Sequence, residues 1–292
     1  MIDSIEKGIY HRKRGDKGNV VNRLFMVVKH NPLPAVASVI ALMVFLTAMW
    51  GPTLAPHNPV TTDVSLRLAP PSLHYIMGND ALGRCLLSRI LCGARISILL
   101  GVTIVGFSCI LGVLIGLISG YRGGLIDEIL MRITDVFFAF PEIIAAMAVA
   151  GFMGPGTMNL LLALSFVNWM RYARLVRGIT LSVKERDFVK AAKLSGVSDT
   201  AVIIRHILPA SVSYIIVLGT IGLAKAILAV SALGFLGFGV QPPHPEWGTL
   251  LMEGKDYILS APHLSVFPGI VIIMSVLSFN IFGDFLKDML DQ

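Results

Sequence analysis

Six apolar runs, most of them close to the length a helix needs to cross a lipid bilayer, recur along a chain of 292 residues. They run approximately Ala35 to Trp50, Ile96 to Ser119, Ile133 to Met153, Gly156 to Tyr172, Leu208 to Val240 and Leu264 to Gly283. A spanning helix needs about 20 predominantly apolar residues to match a hydrocarbon core of roughly 30 Å. The fourth run is short and the fifth long, a mismatch that tilt or a re-entrant end absorbs. With no water to satisfy backbone polar groups inside a bilayer, such runs must be helical. Apolar residues make up 55% of the chain and charged residues only 14%, outside the range of soluble domains. The expected fold class is all-α, a polytopic membrane bundle of about six transmembrane helices.

Cytoplasmic loops retain Lys and Arg during insertion, so the charges give an orientation. One set of segments holds Arg12, Lys13, Arg14, Lys17, Arg23, Lys29, Arg122 and the stretch Arg171 to Arg205. The other, Gly51 to Arg95 and Gly237 to His263, holds only Arg67, Arg84, Arg89, Arg95 and Lys255. Both termini are therefore expected in the cytoplasm. The net charge of +6 reflects topology and contact with anionic lipid, not nucleic acid. The first apolar run follows more than thirty residues and its flank, Trp50-Gly51-Pro52, lacks a small-x-small cleavage site, so it reads as a retained anchor. Cys85 and Cys92 lie seven apart, about 10 Å along a helix, and Cys109 lies in a span, which leaves no disulfide framework.

Three regions follow. Residues 1–33 form a basic cytoplasmic arm. Residues 34–95 hold the first span and an outer loop, proline-rich to about Gly78, and then the stretch Gly78 to Arg95 with Leu86, Leu87, Ile90 and Leu91 at helical spacing. That stretch reads either as a short helix on the outer membrane surface or as an extension of the second span. Residues 96–292 form a core of five spans, in which many glycines suit close helix packing.

The polar stretch from Ser182 to Pro209 interrupts the apolar pattern. Val183 to Leu194 has helical spacing, Gly196 breaks it, and Ser198-Asp199 offers an N-cap for a second helix running to Leu208. Pro209 marks the start of the fifth span. A rigid hairpin rooted in a transmembrane helix can transmit a force.

Lys190-Ala191-Ala192, Gly196 and His206-Ile207-Leu208-Pro209 resemble the cytoplasmic loop of permease subunits in ATP-binding cassette importers, a loop that docks in a cleft of the ATPase. One position departs, since Lys190 stands where the family usually has Glu. Further blocks resemble the dipeptide, oligopeptide and nickel branch, in its second permease subunit. They are Leu54 to Pro59, Gly78 to Arg95, Gly120 to Gly124 with Asp127, Arg132 and Asp135, Ala232 to Gly239, Pro245 to Gly248, and Phe279 to Asp284. The resemblance implies a type I importer permease in a bacterial inner membrane, with a coupling loop at 174–209 and a non-enzymatic role. It implies four kinds of neighbour: a homologous second permease subunit, two ATP-binding cassette ATPase subunits, an extracytoplasmic substrate-binding protein, and the lipid bilayer. No Gly-x-x-x-x-Gly-Lys-Ser/Thr loop occurs in the chain, so no cofactor is expected here, and ATP and Mg would be bound by the partner ATPases. Peptides, nickel complexes and metal chelates all fit the family as cargo.

Two charges inside the spans stand apart, because an ionisable residue at bilayer depth usually faces a cavity or a partner. Counted from the inner ends of their runs, Glu142 and Lys225 lie at about 16 Å and about 22 Å. They could form an ion pair joining spans three and five. Alternatively Lys225 lines the translocation path and favours anionic cargo. His57, His74, His244 and His263 lack metal-ligand spacing and read as surface or packing residues. A secondary transporter would place a coupling-ion site between repeats, and none is evident. A membrane enzyme would need a His-Glu-x-x-His or Gly-x-Ser-x-Gly constellation, and the chain has neither.

Overall fold

The computed structural model describes residues 32–290, so the basic arm expected at the N-terminus lies, up to Asn31, outside the described residues. The chain divides after Val36, and the packing below is that of the unit beginning at Ala37. The helices are α1 (Leu33–Leu54), α2 (Leu86–Arg122), α3 (Gly124–Phe138), α4 (Glu142–Met153), α5 (Thr157–Lys184), α6 (Asp187–Leu194), α7 (Asp199–Val202), α8 (Leu208–Phe235), α9 (Trp247–Gly254) and α10 (His263–Leu290). No strand occurs among the described residues, only an isolated bridge between Asn79 and Cys85.

Four helical rods are long and apolar enough to cross a bilayer: α1, α2, the continuous stretch Asp199–Phe235, and α10. The third expected span requires correction. It is not one helix but α3 and α4, bent by 88°. Pro141 has no N–H to continue the ladder and holds an extended conformation at φ −57°, ψ 130°, so α3 ends at Phe138 and a new helix starts at Glu142. The fourth run lies within α5, a helix of 28 residues. It extends well past Tyr172, and its second half carries Arg171, Arg174, Arg177 and Lys184.

The residues from Leu86 to Arg95 are the first turns of α2, continuous with the span, so the extension and not a separate surface helix forms there. At 37 residues α2 is about 55 Å long, well beyond the hydrocarbon thickness. The preceding turns are tied down by Asp80, whose Oδ1 accepts from the backbone N–H of Leu82 and of Arg84, both at 2.9 Å.

The central packing is of α2 against α5, and it depends on three glycines one helical turn apart. A Cβ on Gly112 would lie 2.4 Å from Cβ of Tyr172, one on Gly116 2.6 Å from the carbonyl oxygen of Ala173, and one on Gly120 2.8 Å from Cβ of Thr180. No side chain fits, so the two backbones touch, which is how small residues bind helices in lipid. The buried side chains form three groups. One joins α1, the start of α2, α8, α9 and α10 around Trp247 and Ile98. A second joins α2, α4, α5 and α8 around Ile104, Leu164 and Leu233. The third lies where the hairpin meets α2 and α5.

At the end of the bundle away from the hairpin, charge is neutralised inside the protein. Fully buried Arg89 reaches Asp80 Oδ2 and Glu253 Oε2, each at 2.5 Å, while Arg84 reaches the same two oxygens at 2.6 and 3.0 Å. Two guanidinium groups thus face two carboxylates, which joins the start of α2 to α9. Nearby, Glu246 caps α9 from full burial, accepting from Thr249 N–H at 3.0 Å and Ser97 Oγ at 2.9 Å. Burial pushes its carboxyl above the ordinary range, opposed by backbone N–H groups of Gly248 and Thr249 and by the Ser97 hydroxyl.

Candidate functional site

The polar stretch folds as a helical hairpin, with one change from the expected boundaries. The helix predicted from Val183 to Leu194 is interrupted at Glu185 and Arg186. α5 ends at Lys184, Arg186 is extended at φ −70°, ψ 147°, and α6 begins at Asp187. The chain thereby leaves α5, and α6 packs its Val189 among buried side chains of α2 and α5.

Gly196 makes the reversal. Its φ of +79° is a left-handed conformation that a side chain would resist. Its N–H donates to Lys193 O at 3.0 Å, and Val197 N–H to Ala192 O at 3.2 Å. These are the two bonds of a Schellman end, and Ala192 and Val197 pack into the same apolar group, as that motif requires. Ser198, at φ −63° and ψ 149°, occupies the N-cap of α7, although its hydroxyl makes no capping bond.

The second arm does not stop where the span begins. Residues Ile203–Ile207 form a π-turn, closed by Leu208 N–H donating to Ile203 O, and α8 follows without a break. Pro209 has no N–H and its ring crowds the preceding turn, so a wider turn relieves both problems. From Asp199 to Phe235 the chain is one helical rod of 37 residues.

The inner face of the hairpin is fastened to the bundle. Val189, Val202 and Ile207 are buried against Leu117, Tyr121, Val176 and Val183. Tyr121, at the end of α2, donates its hydroxyl to Asp199 Oδ1 at 2.5 Å, and Lys193 Nζ stands 4.5 Å from the centre of the Tyr121 ring. Lys184 Nζ donates to Gly120 O at 3.0 Å. The sequence offered Asp199 only as part of an N-cap and Tyr121 only within a family block, because the bond that joins them spans 78 residues and no local spacing reports it.

The outer face is open. Lys190, Ala191, Gly196 and Pro209 are exposed, whereas Ala192, His206 and Leu208 are half-buried. Leu194 is 90% exposed, Phe188 44% and Ile204 57%. On α6, Phe188, Ala191 and Leu194 follow one another at intervals of three, so they share a face. Lys190 pairs with Glu185 at 3.1 Å, but both side chains are more than half exposed and the pair adds little stability.

Glu142 and Lys225 do not meet. The 88° bend places Glu142 in the first turn of α4, where its Oε2 accepts from Arg171 of α5 at 2.7 Å. This is one rung of three. Arg177 makes two bonds to Asp127, at 2.5 and 2.6 Å, and Arg174 pairs with Asp135 while its guanidinium stands 4.1 Å above the Phe138 ring. Asp127 also accepts from Ser119 of α2. Arg171, Arg174 and Arg177 recur every three residues on α5, a spacing visible in the sequence although its acidic partners were not. Lys225 is exposed and has no ion-pair partner among the described residues.

No group of three His, Cys, Asp or Glu side chains among the described residues could hold a metal ion. His57, His74 and Tyr75 instead pack ring against ring, with centroids 4.7 to 5.1 Å apart. Cys85, Cys92 and Cys109 are free thiols.

Residues 112–292 match a family described as the inner membrane component of binding-protein-dependent transport systems. The chain is 42% identical, over 91% of its length and 88% of the relative's, to a dipeptide transport system permease protein of Alkalihalophilus pseudofirmus. It is 38% identical to a probable D,D-dipeptide transport system permease protein of Escherichia coli, over 92% of this chain and 90% of that one. A glutathione transport system permease protein of Pectobacterium atrosepticum is 41% identical over 87% of this chain and 85% of the relative.

Proposed function

Because the chain belongs to the family of inner-membrane components of binding-protein-dependent transport systems, we propose that its hairpin, Asp187 to Ile207, is the surface on which a separate ATPase subunit docks. The chain is the permease subunit of an ATP-driven importer and not itself an enzyme. ATP and Mg are held by the ATPase, and closure of two such subunits moves the hairpin. The observation that carries this reading is the unbroken rod from Asp199 to Phe235, which joins the hairpin's second arm to a membrane span. A push on that arm is delivered to the span because no flexible joint lies between them.

The docking face is the exposed row Phe188, Ala191 and Leu194, with Lys190 and Gly196 beside it along the chain and Pro209 exposed at the root of the second arm. An apolar row of this kind at the end of a charged hairpin suits burial in a cleft. The hairpin and both termini lie in the cytoplasm on the positive-inside count. The remaining partners are a homologous second permease subunit, which completes the path, and an extracytoplasmic binding protein that delivers cargo. The cargo class best supported is a short peptide, since the relatives are named for dipeptides, D,D-dipeptides and glutathione. Nickel and metal chelates, which the resemblance also admitted, have no counterpart in those three names.

The test is purification of the tagged chain with its co-expressed partner subunits. A Phe188→Asp, Leu194→Asp double variant is expected to keep the second permease but lose the ATPases, and to stop uptake of labelled Ala-Ala. Full retention of the ATPases and of uptake would refute the docking face.

A further inference from the structure

Lys225 is the only charged residue of α8, and it lies deep. The helix midpoint falls between Ile221 and Gly222, so Lys225 is about 5 Å from it along the axis. The edge of the hydrocarbon core is then about 10 Å further on, and a lysine stem that reaches about 6 Å does not bring its ammonium to the head groups. A charge at that depth is retained only where water or an anion meets it.

Much of α8 is packed inside this chain, although Val212, Ile216 and Leu228 are exposed as Lys225 is. Ala224 and Ile227 are buried in the group formed with α1, α2, α9 and α10. Ala226, Ala229, Val230 and Leu233 are buried in the group formed with α4 and α5. Lys225 is exposed, in helical register with Tyr214 and Leu236, which are about half exposed at 46% and 50%. Glu142, the partner expected from the sequence, is taken by Arg171. No acid among the described residues pairs with Lys225, which leaves its ammonium open to an anion from a partner or a passing molecule.

We infer that Lys225 lines the translocation path and receives a carboxylate of the passing peptide. The inference rests on the peptide-importer reading above and adds to it a substrate-contacting residue in the permease itself. A short peptide always carries a terminal carboxylate, whereas its side chains vary. A single cation on an apolar wall therefore recognises the constant part of the cargo and tolerates the variable part. A fixed acid on the second permease is the competing partner, and the test separates the two.

The complete complex, reconstituted in liposomes with its binding protein, is assayed with labelled Ala-Ala and with its C-terminal amide. Uptake by Lys225→Met is divided by wild-type uptake for each probe, which cancels the binding protein's own preference. The expected ratio is about one tenth for Ala-Ala and close to one for the amide, with Lys225→Arg retaining most uptake of both. Equal ratios for the two probes, or no loss for either, overturn the inference. Loss of the second permease from the Lys225→Met complex overturns it in favour of an ion pair between subunits. A wild-type complex that imports neither probe overturns the peptide reading itself, and the inference with it.

Discussion

Removing one oxygen atom from Tyr121 tests whether the hairpin is held to the bundle by packing alone. The Tyr121 hydroxyl donates to Asp199 Oδ1 at 2.5 Å, and the ring lies under Lys193 and among the buried side chains of the hairpin end. Tyr121→Phe keeps the ring, its packing and the lysine contact, and deletes only the hydrogen bond. A hydrogen bond to a charged group contributes about 1.5 to 3 kcal/mol. Asp199 is exposed, so water replaces the lost donor and the effect falls at the low end, about 1.5 kcal/mol. That corresponds to roughly tenfold more of the undocked hairpin.

Amide hydrogen exchange over residues 189–207 in the purified complex measures that population. Protection is expected to fall about tenfold in Tyr121→Phe, and the ATP consumed per peptide imported to rise. Asp199 also begins α7, so Asp199→Ala alone mixes loss of the bond with loss of a favourable charge at a helix start. The double-mutant cycle of Tyr121→Phe with Asp199→Ala removes that ambiguity, and a coupling of about 1.5 kcal/mol is expected. A coupling below about 0.3 kcal/mol, with unchanged exchange, would show that packing alone holds the hairpin.

Gly196 has open space around an added Cβ, so Gly196→Ala costs only the left-handed backbone, about 1 to 2 kcal/mol, while Gly196→Pro also forbids the φ of +79° and removes the N–H bonded to Lys193. Uptake should fall modestly in the first and vanish in the second, with the chain still assembled in the membrane. Arg89→Leu leaves Asp80 and Glu253 with less than their full compensation inside the protein, at a cost of about 3 to 5 kcal/mol, read as a lowered Tm of the detergent-solubilised complex. Glu246 gives a pH dependence. Its folded pKa is raised above the usual 4.5, so the folded state binds the proton more tightly, and stability present at low pH is lost as pH rises above that value. The Tm of Glu246→Gln should therefore decline less than that of the wild type between about pH 5 and pH 8, and parallel curves would contradict the assignment.

The four straight spans and the two-armed hairpin were legible because each rests on local spacing, whereas the third expected span is a bent pair and the fourth is part of a longer helix that runs on into its arginines. Apolar runs mark helices that must hide their backbone, and Gly196 between two periodic stretches marks a reversal. What was not legible depends on where separate helices meet. The ladder of Arg171, Arg174 and Arg177 could be read as a pattern, but its partners Glu142, Asp135 and Asp127 lie 29, 39 and 50 residues away. The brace of Tyr121 on Asp199 spans 78 residues and gave no local sign.

The expected Glu142 to Lys225 pair failed for a related reason. Both depths were counted at a constant rise per residue, which assumes a straight helix between the membrane edge and the residue. For Glu142 the count passes through Pro141, where the axis turns by 88°, and the depth so obtained has no meaning. A proline inside an apolar run cancels such a count, because apolarity measures solvent preference and says nothing of direction. For Lys225 the count starts beyond the π-turn and Pro209 and runs along an unbroken helix. Its depth survives, while its supposed partner does not. The same bend that gives Glu142 to Arg171 therefore leaves Lys225 as a deep cation with no ion-pair partner among the described residues.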